Sequence, residues 1–453
     1  MSKNKGNRIN KISSFNSRLT VILSAFVIFF LYLSNTFLFD DIRQAWANII
    51  IDTIGVGDNP VDLSYDPVHQ KMYVANLNSN YASVIDTTTN KVIKNITVSS
   101  PFGIAYDTDN REMYVTDFKS NSISIINPFT DTVVGSPIPV GALPTGIAYD
   151  PVHQRMYVAN LNDNSVSVID TTTNMVINTL TGFNGPISVK FNPINQYMYV
   201  TNYHSNTVSV IDSSYQDIAT ITVGNSPRYI AYVPNNQEMY VTNQNSSNVS
   251  IINSTNSLVD TINVGNGPNG IAYNSNNQKV YVDNENDNTI SLIDPTTNTV
   301  VGSPIPDGNQ PGSIAYNPIN HDMYVSNYGS SDVSAILTPG QGIQKIIDTL
   351  NGMNISSGNT TNLESSLNNA LKQINNNKSM LACNNLNAFI NKVNEDQTTG
   401  KLTSQLATNL IQQAIDVQKA IGCSTFSVPL SSSNNMNNFK PFNDPMNGLT
   451  AGS

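Results

Sequence analysis

The sequence predicts an all-β, seven-bladed β-propeller of four-stranded antiparallel blades, followed by a small all-α bundle. Met-Tyr-Val or a one-residue variant occurs seven times, and its tyrosines are spaced 41 to 43 residues apart. A repeat of about 40 to 45 residues is typical of a propeller blade, which buries its faces by stacking on its neighbours. After the last copy, the period at which apolar residues recur changes from 2 residues to about 3.6 residues, which indicates helices. The repeated tyrosines are Tyr73, Tyr114, Tyr157, Tyr199, Tyr240, Tyr281 and Tyr324.

The third copy shows how one repeat forms one blade. Its predicted strands are 146–149, 155–160, 165–169 and 175–180, each rich in β-branched or aromatic residues and bounded by Asn, Asp, Gly or Pro. Short connections between such strands predict an antiparallel meander.

Two positions recur in every copy for physical reasons. An aromatic residue closes the first strand, and we expect it to fill the space between neighbouring blades. An Asn or Asp follows the second strand, where a short polar side chain is expected to bond the backbone of a tight turn. The aromatic residues are Tyr65, Tyr106, Tyr149, Phe191, Tyr232, Tyr273 and Tyr316, and the polar ones are Asn76, Asp117, Asn160, Asn202, Asn243, Asn284 and Asn327.

The seventh copy lacks a fourth strand, since Leu337-Thr338-Pro339-Gly340 stands in its place. An unpaired segment before the first copy, 48–57, matches the fourth-strand pattern of 259–265. The sequence therefore predicts that this segment completes blade seven. The propeller then spans 48–338, and its closure removes the open edge of a linear array.

The first 47 residues predict export. Five basic residues precede an uncharged, largely apolar run from Leu19 to Phe39, long enough to cross about 30 Å of hydrocarbon. The basic flank stays inside, which places the propeller outside. Ala45-Trp46-Ala47 also fits a signal-peptidase site. Residues 1–47 are thus either a cleaved signal peptide or a signal anchor, and the protein is predicted to be extracellular, in the cell envelope, either anchored or secreted.

The charge and composition of the chain indicate which classes of partner it can bind. The net charge is -10 with 22 Lys plus Arg, so generic nucleic-acid binding is disfavoured. Seven glycosylation sequons fit an exported protein. They lie at Asn95, Asn245, Asn248, Asn253, Asn354, Asn359 and Asn377.

Three segments of the third copy recur in order in every repeat: Pro144-Thr145-Gly146-Ile147-Ala148-Tyr149, Met156-Tyr157-Val158-Ala159-Asn160 and Ser165-Val166-Ser167-Val168-Ile169-Asp170. With these segments the repeats resemble the YVTN family of β-propeller repeats over about residues 48 to 338. The resemblance implies a seven-bladed propeller of a secreted or surface-layer protein. It brings no catalytic residue, because the family motif is structural.

Residues 341–423 carry three helical stripes, and residues 424–453 form a Ser-, Asn- and Pro-rich tail predicted to be disordered. The stripes are Leu363, Leu367, Leu371 and Ile374; Leu386, Phe389, Ile390 and Val393; and Leu406, Leu410, Ala414, Val417 and Ile421.

Three segments of this region carry a resemblance to a known module: Leu367-Asn368-Asn369-Ala370-Leu371, Leu386-Asn387-Ala388-Phe389-Ile390-Asn391-Lys392-Val393, and Gly400-Lys401-Leu402-Thr403 to Leu410-Ile411. They resemble the all-helical FIMAH-type module at the ends of secreted proteins, which implies an accessory role.

Both cysteines, Cys383 and Cys423, lie in this helical region. In an exported protein two cysteines near the ends of packed helices indicate a disulfide. Two buried thiols are the alternative.

Candidate binding residues are those that break the repeat on the propeller face formed by the loops between blades and between strands two and three. Two residues after each loop proline, five copies have Gly or Ser whereas two have Asp62 and Tyr229. Loop variation without any site is the competing interpretation. The predicted ligand-binding set is Asp62, Asp117, Phe118, Lys119, Tyr203, His204, Arg228 and Tyr229.

The sequence contains little evidence for a catalytic or metal-binding site. Only His204 of the four histidines falls on this face, so we predict no catalytic residue, no cofactor and no metal site. Three alternating acidic residues near a turn could bind Ca²⁺, but they lack the spacing of a known calcium-binding loop. They are Asp283, Glu285 and Asp287.

The leading functional prediction is an exported, noncatalytic binding or structural scaffold whose partner is a protein or glycan at the cell surface. It contacts the membrane through the N-terminal segment if that is uncleaved. The alternative is a hydrolase or lyase, lactonase-like or streptogramin-lyase-like, that uses Asp117, His204 and Arg228. A periplasmic-type solute sensor is a third possibility.

Overall fold

Seven four-stranded antiparallel sheets follow one another along the chain, which confirms the predicted propeller. The computed structural model describes residues 49–337, 339–352, 357–376, 378–421 and 423. The strands of blades 1 to 3 are β2 (Pro60–Asp66), β3 (Lys71–Asn76), β4 (Tyr81–Asp86), β5 (Lys91–Thr97); β6 (Pro101–Asp107), β7 (Glu112–Asp117), β8 (Ser122–Asn127), β9 (Thr132–Pro139); β10 (Pro144–Asp150), β11 (Arg155–Asn160), β12 (Ser165–Asp170) and β13 (Met175–Thr181).

Blades 4 to 6 continue in the same order, and a one-turn 3₁₀ helix (Gln244–Ser246) precedes the third strand of blade 5. In blade 6 the fourth strand is interrupted, and its two short pieces both pair with β24. The strands are β14 (Pro186–Asn192), β15 (Tyr197–Asn202), β16 (Thr207–Ile211), β17 (Asp217–Thr222); β18 (Pro227–Val233), β19 (Glu238–Asn243), β20 (Asn248–Ile252), β21 (Leu258–Asn263); β22 (Pro268–Asn274), β23 (Lys279–Asn284), β24 (Thr289–Asp294), β25 (Thr299–Val300) and β26 (Ile305–Pro306).

Blade 7 closes the ring as the sequence predicted. It consists of β27 (Pro311–Tyr316), β28 (Met323–Asn327) and β29 (Asp332–Leu337), and β1 (Ile49–Gly55) pairs antiparallel with β29 as the fourth strand. Ile54 of β1 is buried in a cluster of blades 7 and 1. The hydroxyl of Tyr324 donates to Asn90 Oδ1 of blade 1 at 2.8 Å, so the ends of the array are joined by side chains as well as by backbone.

The repeated Met-Tyr-Val is a contact between blades. All seven motif tyrosines are at most 2 % exposed. Several of their hydroxyls reach the turn between the third and fourth strands of the next blade, as Tyr73 does to Asp131 at 2.7 Å and Tyr240 to Asn298 at 2.8 Å. The aromatic that closes the first strand also lies between blades, but except for Phe191 it is only half-buried.

The recurrent Asn after the second strand has a partner other than the predicted one. Asn160 Nδ2 donates to the hydroxyls of Ser165 and Ser167, both at 3.0 Å. Asp117 accepts from the corresponding Ser122 and Ser124. The side chain points along the sheet to the third strand, so its main role is to link two strands rather than to hold a turn.

In the described part of the chain after the propeller there are four helices: α1 (Pro339–Asn351), α2 (Ser357–Asn375), α3 (Ser379–Thr398) and α4 (Ser404–Ala420). The three predicted stripes lie on α2, α3 and α4, except that Ile421 follows the last residue of α4. The predicted helical region, 341–423, covers most of α1, although no stripe was assigned to it. This helix starts at Pro339, a residue suited to the first helical position. Gln341 of α1 donates to the carbonyl of Asn320 in blade 7 at 2.9 Å. Cys383 and Cys423 form a disulfide with a Cα–Cα distance of 5.7 Å.

Several predictions concern residues outside the described ranges: the segment 1–47 with its apolar run Leu19–Phe39, the tail 424–453, and the sequons at Asn354 and Asn377. The side chain of Asn359 is likewise not described. Within the described helices, none combines the length and the apolar character needed to span a bilayer. Of the other sequons, Asn95 and Asn245 are exposed and Asn248 and Asn253 are half-buried.

Candidate functional site

The antiparallel strands give the propeller two distinct faces. On the mouth face each first strand begins and each second strand ends; on the base face lie the turns between strands one and two and between strands three and four. The first strands contact one another in sequence around the ring, so they line the central channel.

Two rings of variable residues surround the channel on the mouth face. The first ring contains the residue after each loop proline, and the second contains the residue after each strand-two Asn or Asp. The first ring is Val61, Phe102, Thr145, Ile187, Arg228, Asn269 and Gly312; the second is Leu77, Phe118, Leu161, Tyr203, Gln244, Glu285 and Tyr328.

The same backbone conformation and hydrogen bond position both rings in all seven blades. The residue before each loop proline has a positive φ of 45° to 71°, although only Gly185 and Gly267 of the seven are glycines. Its carbonyl accepts the amide of the second-ring residue at 2.9 to 3.0 Å. Such left-handed dihedrals cost about 1 kcal/mol for a side-chain-bearing residue, and the repeated hydrogen bond offsets that cost.

The rings enclose a cavity of about 180 Å³ at the channel mouth, here called the cup. One wall is apolar and aromatic, and the other is polar. The cup is lined by Val61, Leu77, Phe102, Ile187, Ser188, Arg228, Tyr229, Asn269, Glu285, Gln310, Gly312 and Tyr328.

The polar wall is held together by its own contacts. Glu285 Oε2 accepts from Gln244 at 2.8 Å and from Asn269 at 3.2 Å, and lies 3.8 Å from Arg228 Nη2. The Arg228 guanidinium lies 5.7 Å from the centre of the Tyr203 ring, within cation–π range. Asn269 Oδ1 and Arg228 Nε are buried without a protein partner. The wall is therefore ordered yet keeps hydrogen-bonding capacity.

Tyr229 forms the floor of the cup. From blade 5 its hydroxyl crosses the channel to the carbonyl of Val61 in blade 1 at 3.3 Å. Nearby, Asp62 accepts from the Ser313 hydroxyl at 2.8 Å and from the Ile104 amide at 3.0 Å. Burial raises the pKa of the Asp62 carboxyl to about 6, and burial together with the Asp62 charge raises the pKa of Tyr229.

Lys190, also on a first strand, stands where most blades have alanine. Its side chain is solvent-accessible. Desolvation by the surrounding channel wall lowers the pKa of its ammonium, and the negative charge of Asp62 partly opposes that shift. The channel thus holds one acid and one base that the repeat does not predict.

A buried carboxyl lies at the junction of blades 6 and 7. Asp283 accepts the Gly270 amide at 2.8 Å through Oδ1, while its Oδ2 is buried and unpartnered. At the same position Thr116, Thr201 and Thr242 each accept such an amide and donate to a carbonyl of the next blade. Burial raises the pKa of Asp283 well above its ordinary value, and a protonated carboxyl has the same accept-and-donate capacity as threonine.

The structure brings together only some of the predicted binding residues. Arg228 and Tyr229 line the cup, Tyr203 braces Arg228, and Asp62 lies by the floor. Phe118 stacks on the cup residue Phe102 at 5.3 Å, and His204 packs edge-on against Tyr203.

Two predicted residues lie apart from the cup. The Asp117 carboxylate points into blade 2 toward Ser122 and Ser124, and Lys119 is exposed in its loop. The sequence prediction also left out Phe102 and Asn269 of the first ring. The only signal for them was variation immediately after the loop proline.

The acidic residues considered for calcium do not converge. Asp283 bonds Gly270, Glu285 lines the cup, and Asp287 accepts the Asn266 amide at 2.7 Å. Across the described part of the chain, no group of three or more His, Cys, Asp or Glu side chains has an arrangement suited to a metal ion.

Comparison with known proteins supports the fold. No family profile and no curated protein matches the chain, so the YVTN and FIMAH resemblances stay predictions. Similar solved structures include hydrazine synthase of Kuenenia stuttgartiensis, with a TM-score of 0.56 and 19% identity over 62% of this chain and 95% of that one. Another is a streptogramin B lyase, with a TM-score of 0.57 and 12% identity over 65% of this chain and 99% of that one. At such identities the likeness shows the propeller fold alone.

Proposed function

We propose that this protein is an exported, noncatalytic binding propeller whose cup holds a terminal sugar of a cell-surface glycan. The observation that carries the proposal is the two-sided cup, with Phe102, Tyr229 and Tyr328 among its aromatic residues and the Arg228–Glu285–Asn269 cluster as its polar wall.

The chemistry of the cup suits an uncharged, amphipathic ligand. A sugar ring has C–H faces that pack on aromatic rings and hydroxyls that both donate and accept. Arg228 and Glu285 carry opposite charges close together, so the cup has no strong preference for an anion or a cation. The volume of about 180 Å³ suits one monosaccharide unit rather than a longer chain.

A noncatalytic role is favoured over hydrolysis or elimination. The alternative prediction required Asp117, His204 and Arg228 to act together. Asp117 is 2 % exposed and bonded within blade 2, so it is not available to a ligand in the cup. The other six blades have asparagine at the position of Asp117, which supports a structural rather than a catalytic role for this residue.

Replacing Arg228 with alanine should weaken glycan binding at least tenfold. Loss of a partly buried, charge-assisted hydrogen bond costs about 1.5 to 3 kcal/mol, which is a factor of about 10 or more. The purified propeller with its helical module is first screened on an array of immobilised glycans. The best ligand is then titrated by calorimetry against wild-type protein, Arg228→Ala and Asn269→Ala.

Lys119→Ala is the matched control, because it removes a cation from the same face outside the cup lining. Its affinity should stay within twofold of wild type. Equal affinity for Arg228→Ala would place the ligand elsewhere. Binding only to a protein partner would refute the glycan assignment, and chemical conversion of the bound glycan would refute the noncatalytic role.

A further inference from the structure

Three large side chains in the central channel break the pattern of the seven first strands. Two residues after the loop proline, five blades have Gly or Ser, whereas blades 1 and 5 have Asp62 and Tyr229. Opposite the motif tyrosine, six blades have Ala or Ser, whereas blade 4 has Lys190. The small residues at these two levels are Gly103, Gly146, Ser188, Gly270 and Ser313, and Ser64, Ala105, Ala148, Ala231, Ala272 and Ala315.

The three exceptions come from different sides of the ring and meet in the channel. The hydroxyl of Tyr229 in blade 5 reaches the carbonyl of Val61 in blade 1, the residue next to Asp62, at 3.3 Å. Lys190 in blade 4 lies within range of the Asp62 charge, which acts on the pKa of its ammonium. Independent variation of seven blades gives no reason for the large side chains to converge, so the convergence indicates a binding site.

The acid and the base attract each other without touching. Within the described residues, the Lys190 ammonium has no hydrogen-bond or ion-pair partner, and its side chain is solvent-accessible. Asp62 is held in place by the Ser313 hydroxyl at 2.8 Å and the Ile104 amide at 3.0 Å, and it is only partly buried. A fixed carboxylate and an unpaired ammonium therefore face a space in the channel. Protein on all sides disfavours both charges, so a ligand that pairs with them is stabilised.

Opposite charges across a gap suit a ligand that carries both charges itself. The carboxylate of an α-amino acid can accept from Lys190 while its ammonium donates to Asp62. A ligand with only a negative charge is repelled by Asp62, and one with only a positive charge is repelled by Lys190. The alanines at the level of Lys190 are small, which leaves room around the lysine and offers apolar contact to a short side chain.

We propose that the central channel binds a small zwitterion, a free α-amino acid, between the Lys190 ammonium and the Asp62 carboxylate. Neither residue lines the cup, and the Tyr229 ring separates the cup from Lys190, which lies two strand positions further from the mouth. The channel site is therefore distinct from the cup and does not depend on which ligand the cup takes.

Calorimetry on the full chain tests the proposal. The common α-amino acids are first screened for a rise in the midpoint of thermal unfolding, and the best one is titrated. We expect saturable binding of one ligand per chain. Lys190→Ala and Asp62→Ser should each weaken it at least tenfold, because each removes a charge-assisted hydrogen bond. Both changes introduce a residue that other blades have at that position, and circular dichroism melts verify folding.

Lys94→Ala is the matched control, because it removes an exposed lysine of β5 far from the channel. Its affinity should stay within twofold of wild type. Two analogues of the best ligand, one with the carboxylate amidated and one without the amino group, should each bind at least tenfold more weakly. They show that both charges of the ligand are recognised.

Three outcomes would overturn the proposal. If no amino acid binds, Lys190 only offsets the charge of Asp62. Unchanged affinity in Lys190→Ala would place the ligand elsewhere, and equal binding of the analogue without an amino group would mean that Asp62 does not recognise an ammonium. Arg228→Ala should leave amino-acid affinity within twofold while it weakens glycan binding, so failure of the channel site and failure of the cup are recognised independently.

Discussion

Replacing Ile54 with aspartate should lower the midpoint of thermal unfolding by about 10 °C. Ile54 is 5 % exposed in β1, pairs with Val333 and packs against blade 1. An unpaired charge in such a site costs about 3 to 5 kcal/mol, and each kcal/mol shifts the midpoint of a large domain by about 2 to 4 °C. Because β1 alone completes blade seven, the loss also weakens the junction that closes the ring.

Ile93→Asp is the matched control for ring closure. Ile93 also lies in a fourth strand, β5, but is 49 % exposed, so its midpoint should shift by about 2 °C or less. Circular dichroism melts of both variants make the comparison. Deleting residues 48–57 should have a larger effect than either, with aggregation through the exposed edge of β29. Equal melts for Ile54→Asp and wild type would mean that the ring does not depend on β1.

The fold could be read from the sequence because a blade is built from local patterns repeated seven times. Tyr73 and its six equivalents predicted the strand, and the missing fourth strand after Leu337 predicted closure by residues 48–57, of which 49–55 form β1. The error over Asn160 has a physical source. Sequence spacing cannot distinguish a side chain that bonds its own turn from one that bonds the next strand, since both partners are a few residues away.

The cup was only partly predictable because its members meet across the ring. Tyr229 was found as a departure from the repeat, and Arg228 as the residue before it. Phe102 and Asn269 share the position of Arg228, where all blades differ, so the sequence pattern does not single them out. The contact between Tyr229 and Val61 joins residues 168 positions apart. Which residues of a ring face one cavity depends on the side-chain lengths around it, and the repeat carries no information on that.

In the described propeller, four aspartates besides Asp283 have raised pKa values because folding desolvates them. Burial raises the pKa of Asp62, Asp117 and Asp307 to about 6 and that of Asp322 to about 7. A carboxyl whose pKa is higher in the folded state binds protons more strongly when folded. Its contribution to stability is full below the unfolded pKa of about 3.9 and is lost as the pH rises through 6 to 7.

The propeller should therefore be more stable at pH 5 than at pH 8, with a midpoint about 5 °C higher at the lower pH. Asp86, Asp170 and Asp294 have lowered pKa values because hydroxyl, amide or lysine donors stabilise their charge. Their contribution is lost only as the pH falls below about 3.9, so they do not affect this window. Differential scanning calorimetry from pH 4 to 9 measures the dependence. A midpoint that rises from pH 5 to pH 8 would contradict the desolvation of these groups.

Asp283→Thr tests whether an unpaired buried carboxyl causes part of this dependence. Threonine occupies the same position in three other blades, where it bonds both the amide and the neighbouring carbonyl at any pH. At pH 8 the variant should melt about 3 °C higher than wild type, since it removes a charge that burial disfavours. At pH 5 the two should differ little. Asp260→Asn, on the exposed side of β21, should change neither value, because solvent already hydrates that carboxylate in the folded state.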